Sequence, residues 1–138
     1  MQKSPSLQPT FAAIVSRWLL AALFIVSGIA KALTFTGTAA WLGSESIPAP
    51  EVVLALVIAL EVAGGLALGA GVATGVVSAV FLAFTAAATV LFHAFWAAPA
   101  EQMQDQLTHF MKNVAIAGGL ILLWLEAHAM VKGPGQGS

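Results

Sequence analysis

The sequence contains no cysteine and no tyrosine. The first absence removes disulfides, thiolate nucleophiles, Cys-ligated zinc, iron–sulfur clusters and covalently attached c-type haem, so any redox role must use a bound cofactor. The second leaves three His, the carboxylates and the lysines as the proton-handling groups. Charge is scarce as well: five Lys plus Arg and six Asp plus Glu make up 8% of 138 residues, against about 25% in an ordinary soluble domain. A net charge of -1 supplies neither a basic footprint nor an acidic tail, which excludes DNA and RNA as partners. What remains is apolar, with 59% hydrophobic residues and a mean hydropathy of +0.94. That composition excludes a water-soluble globule and provides for four bilayer crossings of about 20 residues each.

The distribution of apolar runs predicts an all-α integral membrane four-helix bundle, a single domain with spans at 11–33, 51–69, 73–95 and 105–130. Residues 34–50, broken by Gly37, Gly43, Pro48 and Pro50 but carrying Phe35, Trp41 and Ile47, read as an interfacial outer loop. Glu51 suits the first turn of the second span, where the helix dipole favours a negative charge. The run Gly69-Ala-Gly-Val-Ala-Thr-Gly75 looks like a phosphate loop, but no strand precedes it, so it reads as a tight turn. Residues 97–104 read as a second outer loop, and Gly133-Pro134-Gly135 as the stop of the last span. Lys3, Arg17 and Lys132 fall on one side of this layout, which by the positive-inside rule places both termini in the cytoplasm.

Polar residues inside the spans are expensive in lipid and so mark the interior. At helical spacing, Arg17, Leu20, Phe24, Ser27 and Lys31 form one stripe with Gly28 beside it. The second span aligns Leu54, Ile58, Glu61, Gly65 and Leu68, and Gly64, Gly65 and Gly69 there allow close helix approach. The third aligns Ser78, Leu82, Thr85, Thr89 and His93, and the fourth His109, Lys112, Ile116, Gly119, Leu123 and Glu126. With alternating directions, Lys31, His93, His109, Lys112 and Asn113 are expected near the outer surface, Glu61 near the midplane and Arg17 toward the inner surface.

Glu61 admits two compatible readings: a buried ion pair with Arg17 or Lys31, or a carboxylate that handles a proton. His93 and His109 are the two residues that a haem b would need as axial ligands. Haem b is nonetheless disfavoured, since two histidines at no diagnostic spacing more often hydrogen-bond across helices. A metal site is not expected, because no committed ligand spacing is present. The outer cluster with Lys112 and Asn113 suits a polar head group such as a quinone carbonyl, above apolar walls for its tail.

Four elements taken together, Arg17-x9-Ser27-Gly28-x2-Lys31, Glu61-x2-Gly64-Gly65, Phe92-His93-x-Phe95-Trp96 and His109-Phe110-x-Lys112-Asn113, are recognisable. In order and spacing they resemble the DoxX family of small four-span bacterial membrane proteins, over about residues 11–130. The resemblance implies a multi-pass protein of the bacterial plasma (inner) membrane and a subunit or accessory of a membrane redox system, quinone-linked or serving oxidant defence. Many relatives carry a Thr-Arg pair in the turn after the second span; here Gly71-Val-Ala-Thr-Gly75 has no Arg. On this reading Arg17, Lys31, Glu61, His93, His109, Lys112 and Asn113 are the ligand or proton-handling candidates, and Ser27, Gly28, Gly64, Gly65 and Gly69 pack the helices. Any enzymatic activity belongs to a membrane oxidoreductase assembly; the cofactor stays open with a quinone as the candidate, and a redox partner protein and a homo-oligomer are both allowed, the latter by the small-residue faces. The alternative is a non-catalytic membrane scaffold or small-molecule carrier with a polar interior seam.

Overall fold

In hydrocarbon, backbone N–H and C=O groups must be satisfied within the segment that carries them, so apolar runs of this length fold as helices. The computed structural model describes residues 10–132, which are mostly helical and contain no strand. The helices are α1 (Phe11–Leu33), α2 (Phe35–Ser44), α3 (Pro50–Ala70), α4 (Thr74–Phe92) and α5 (Ala100–Lys132), with a 3-10 turn at Phe95–Ala97. Four stretches are long and apolar enough to cross a bilayer: Phe11–Leu33, Pro50–Ala70, Thr74–Ala97 and Ala100–Val131. Lys3 and the stop Gly133-Pro134-Gly135 lie outside the described residues. The described chain divides into two compact units, one of residues 14–72 and one of residues 73–132 with the first residues of α1.

The first unit is built on an antiparallel α1–α3 pair. Ala21, Phe24 and Gly28 of α1 and Leu54, Glu61, Gly65, Leu68 and Gly69 of α3 are buried. Glycine sets the approach: a Cβ on Gly65 would lie 2.6 Å from Ile25 Cγ1 and 3.2 Å from the Ala21 carbonyl oxygen. A Cβ on Gly69 would lie 2.6 Å from the Trp18 ring, and one on Gly28 2.8 Å from Val62 Cγ2. Gly64 is half-buried. α3 ends at Gly71, whose φ of 76° is in the left-handed region. The Val72 N–H donates to the Ala67 carbonyl at 2.8 Å and the Gly71 N–H to that of Leu68 at 3.1 Å, which satisfies two end carbonyls of the helix.

Residues 34–50 are not the loop expected from their glycines and prolines, since ten of them form α2. The Thr34 hydroxyl donates back to the Ala30 carbonyl at 2.9 Å, closing α1, and the Thr34 carbonyl accepts the first bond of the next helix from the Thr38 N–H. Burial of Ala39 and Leu42 holds α2 in the unit, while Trp41 remains exposed.

The second unit is an antiparallel α4–α5 hairpin. Its core holds Phe81, Leu120 and Leu123 with Ser78, Thr85 and Thr89, so Phe81 and Leu120 take the places expected of Leu82 and Gly119. Gly75 meets Ala127 and His128 at one end, and Asn113 bonds Thr89 toward the other. α4 stops at Phe92, and the chain turns through Phe95–Ala97 rather than continuing as helix to residue 95. Phe95, Trp96 and Phe110 then meet edge to face, with ring centroids 5.2 to 5.9 Å apart. The expected second outer loop is mostly helical: α5 begins at Ala100, where the Pro99 carbonyl accepts the Gln102 N–H. At 33 residues α5 is about 50 Å long, well beyond the hydrocarbon thickness.

The glycine contacts generate a stability prediction. Gly65→Ala pushes a methyl against Ile25 and a backbone carbonyl that cannot retreat, and should cost about 1–3 kcal/mol. Gly118→Ala meets nothing within 4 Å and should be neutral or slightly stabilising by helix propensity. Unfolding in mixed detergent followed by circular dichroism separates the two; equal losses would refute the close α1–α3 approach.

Candidate functional site

Placement of the candidate residues starts with a closed cluster in the first unit. Lys31 and Ser27 lie one turn apart on α1, so both side chains reach across to Glu61 on α3. Lys31 Nζ donates to Glu61 Oε1 at 3.0 Å and Oε2 at 2.9 Å, and also to the Ser27 hydroxyl. The Ser27 hydroxyl in turn donates to Glu61 Oε1 at 3.2 Å. The Glu61 side chain is 4% exposed and that of Lys31 30%. Of the two cations considered for Glu61, the partner is therefore Lys31. Lys31 thus bonds both carboxylate oxygens and the Ser27 hydroxyl.

Arg17 serves a different purpose. Its guanidinium packs on Gly71, with Cζ 3.2 Å from where a Cβ on that glycine would stand. It thus lies at the C-terminal end of α3, where the helix dipole favours a cation. This location accounts for an arginine at the border of a span that has no paired carboxylate among the described residues. Its Nε is buried and has no hydrogen-bond partner among the described residues.

The second unit carries the histidines. His93 caps the end of α4, and its ring stacks on that of His109 with centroids 4.9 Å apart and planes 12° from parallel. His93 Nδ1 and Gln106 Oε1 are 3.0 Å apart, and His109 Nε2 lies 3.7 Å from Asp105 Oδ2. Each ring keeps one nitrogen, Nε2 of His93 and Nδ1 of His109, without a partner among the described residues. One turn deeper, the Asn113 amide donates to Thr89 Oγ1 at 2.9 Å, and the Thr89 hydroxyl donates to the Thr85 carbonyl. Face-to-face imidazoles cannot place lone pairs on opposite sides of one iron, so the arrangement does not fit a haem b. Among the described residues no three His, Asp or Glu side chains gather as metal ligands.

Lys112 departs from the expected cluster. It is exposed on α5, beside Thr108, Met111 and Ala115, and has no hydrogen bond or ion pair among the described residues. One residue on, Asn113 turns toward α4 while Lys112 turns away. Sequence reasoning also passed over Asp105 and Gln106 as partners of the histidines. The signal was present in the four-residue spacing of Asp105 and His109, which places both on one face of α5.

The DoxX family model matches residues 12–94, more than half of the chain. The chain belongs to the DoxX family. It is also similar to the inner membrane protein YphA of Escherichia coli (strain K12), at 26% identity over 122 residues covering 88% of this chain and 83% of that protein. No solved structure matches. This DoxX protein has four helices able to cross a bilayer, and a bacterial inner membrane, the location expected from its sequence, is also that of the relative. The family match takes in Arg17, Ser27, Lys31, Glu61 and His93 and stops short of His109.

Breaking the ion pair has a predictable cost. Glu61→Gln leaves Lys31 with a neutral partner inside an apolar unit and should lower unfolding stability by about 3 kcal/mol, the low end for a buried pair because Lys31 is partly exposed. The double variant Lys31→Met, Glu61→Leu should recover most of the loss. Strictly additive losses in a double-mutant cycle would sink the pairing.

Proposed function

We propose that this DoxX protein is an accessory subunit of a membrane redox system and holds a quinone head group at the His93–His109 pair. The observation that carries the reading is the free ring nitrogen on each of two stacked histidines at the end of the α4–α5 hairpin. The Gln106 oxygen accepts from His93 Nδ1 and the Asp105 carboxylate lies 3.7 Å from His109 Nε2, so the other nitrogen of each ring donates to a ligand oxygen when that ring is protonated. Reduction of a quinone takes two electrons and two protons; the electrons come from a partner protein, because the chain has no thiol to relay them. A protonated histidine at the head group supplies a proton as the oxygen becomes a hydroxyl. Asn113, bonded to Thr89 one turn deeper, steadies the helix pair beneath.

In this assignment Lys31 is not a donor to the quinone, since it is bonded to Ser27 and to both oxygens of Glu61. The same pairing favours a second reading, in which the protein is a non-catalytic membrane scaffold or small-molecule carrier and its polar residues serve assembly. Both readings place the termini in the cytoplasm, by the distribution of Lys and Arg.

The readings part on bound cofactor. Protein purified in mild detergent should carry a near-stoichiometric quinone by mass spectrometry of extracted lipophiles. His93→Ala and His109→Ala should each lower quinone affinity about tenfold, equivalent to one lost hydrogen bond of ~1.4 kcal/mol. Glu61→Gln should leave quinone per folded protein unchanged. Absence of quinone, or indifference to both histidine substitutions, selects the scaffold reading.

A further inference from the structure

The structure assigns Lys112 a role outside the quinone site: we propose that it binds the phosphate of an anionic phospholipid lodged against the exposed face of α5. Gln104, Leu107, Thr108, Met111, Lys112 and Ala115 line a shallow depression on that helix. Its floor is apolar at Leu107, Met111 and Ala115, and its polar groups gather toward the N-terminal end of α5.

Depth makes the case for an anion. The neighbouring Asn113 bonds Thr89, so Lys112 lies level with the last turn of α4, inside the apolar span and not beyond it. An exposed ammonium at that depth faces hydrocarbon, where an unpaired cation is costly. No acidic side chain among the described residues pairs with it. Helical side chains lean toward the N-terminus, which carries the Lys112 ammonium up the depression toward Thr108 and Gln104 and so to the head-group level. The Thr108 hydroxyl is committed to the Gln104 carbonyl, leaving the Lys112 ammonium and the Gln104 amide as the donors that face this level. A phosphate there neutralises the ammonium, and an acyl chain continues over Met111 and Ala115 toward Gly118, beside which there is open space. The phosphate of a zwitterionic lipid is already balanced by its own cation, so the site selects an anionic one.

The test uses the full chain in nanodiscs of phosphatidylcholine containing a minority of phosphatidylglycerol, followed by native mass spectrometry of the released protein. The wild type should retain one phosphatidylglycerol in preference to phosphatidylcholine. Lys112→Gln should lower that retention about fivefold, as expected for roughly 1 kcal/mol per basic residue at an anionic surface, and Lys112→Arg should preserve it. His93→Ala and His109→Ala should leave lipid retention unchanged, which keeps this outcome separate from that of the quinone site. Equal retention of the two lipids, no effect of Lys112→Gln, or a lipid-free dimer covering the same face would each overturn the assignment.

Discussion

A charge inside a bilayer is costly without a counter-charge, and the first unit is arranged around one such pairing within the protein. Glu61 is buried on α3, and among the described residues Lys31 of α1, helped by Ser27, is what bonds its two oxygens. The side chains meet because α1 and α3 approach closely at Gly28, Gly65 and Gly69. Larger residues at these positions would separate the helices and leave the carboxylate without its cation. Lipid tails are as apolar as leucine side chains, so close packing and interhelical polar contacts have to hold the pair together. The three glycines and the three polar residues are therefore one device. Arg17 extends it to the end of α3, where it sits over the Gly71 turn.

The second unit solves the same problem without an ion pair inside the helix pair. Its buried polar residues are Ser78, Thr85 and Thr89, whose hydroxyls carry no charge and can return a bond to the helix backbone, as Thr89 does to Thr85. The strongly polar groups are moved to the end of the hairpin. There the helical path of α4 breaks at His93, and α5 already extends past it toward Ala100. This division separates a unit whose carboxylate is fully paired from one whose imidazoles retain bonding capacity, which is why the ligand reading rests on the second.

Much of this was legible beforehand because the bilayer restricts the choices. The four apolar stretches and the alignment of Leu54, Glu61, Gly65 and Leu68 on one face follow from helical periodicity alone, as does the burial of Ser78, Thr85 and Thr89. The failures were local. Glycines and prolines in residues 34–50 suggested a loop, yet Thr34 closes one helix and opens the next. The start of α5 was placed late because Glu101, Gln102 and Gln104 look like loop residues when read for polarity, although nothing in them opposes a helix extending into water. Lys112 follows His109 by three positions, a spacing that places it near the histidine stripe and leaves its direction undecided.

The sequence by itself determined that this is a membrane protein of four long apolar helices, because composition and run length leave a chain in lipid no other way to satisfy its backbone. It also carried the family, in the order of polar residues along those helices. Only the tertiary structure decided which cation meets Glu61, that His93 stacks on His109, and that Lys112 faces outward. Those outcomes depend on the rotation and register of one helix against another, which side-chain packing sets to within an ångström and helical periodicity constrains only to a broad face.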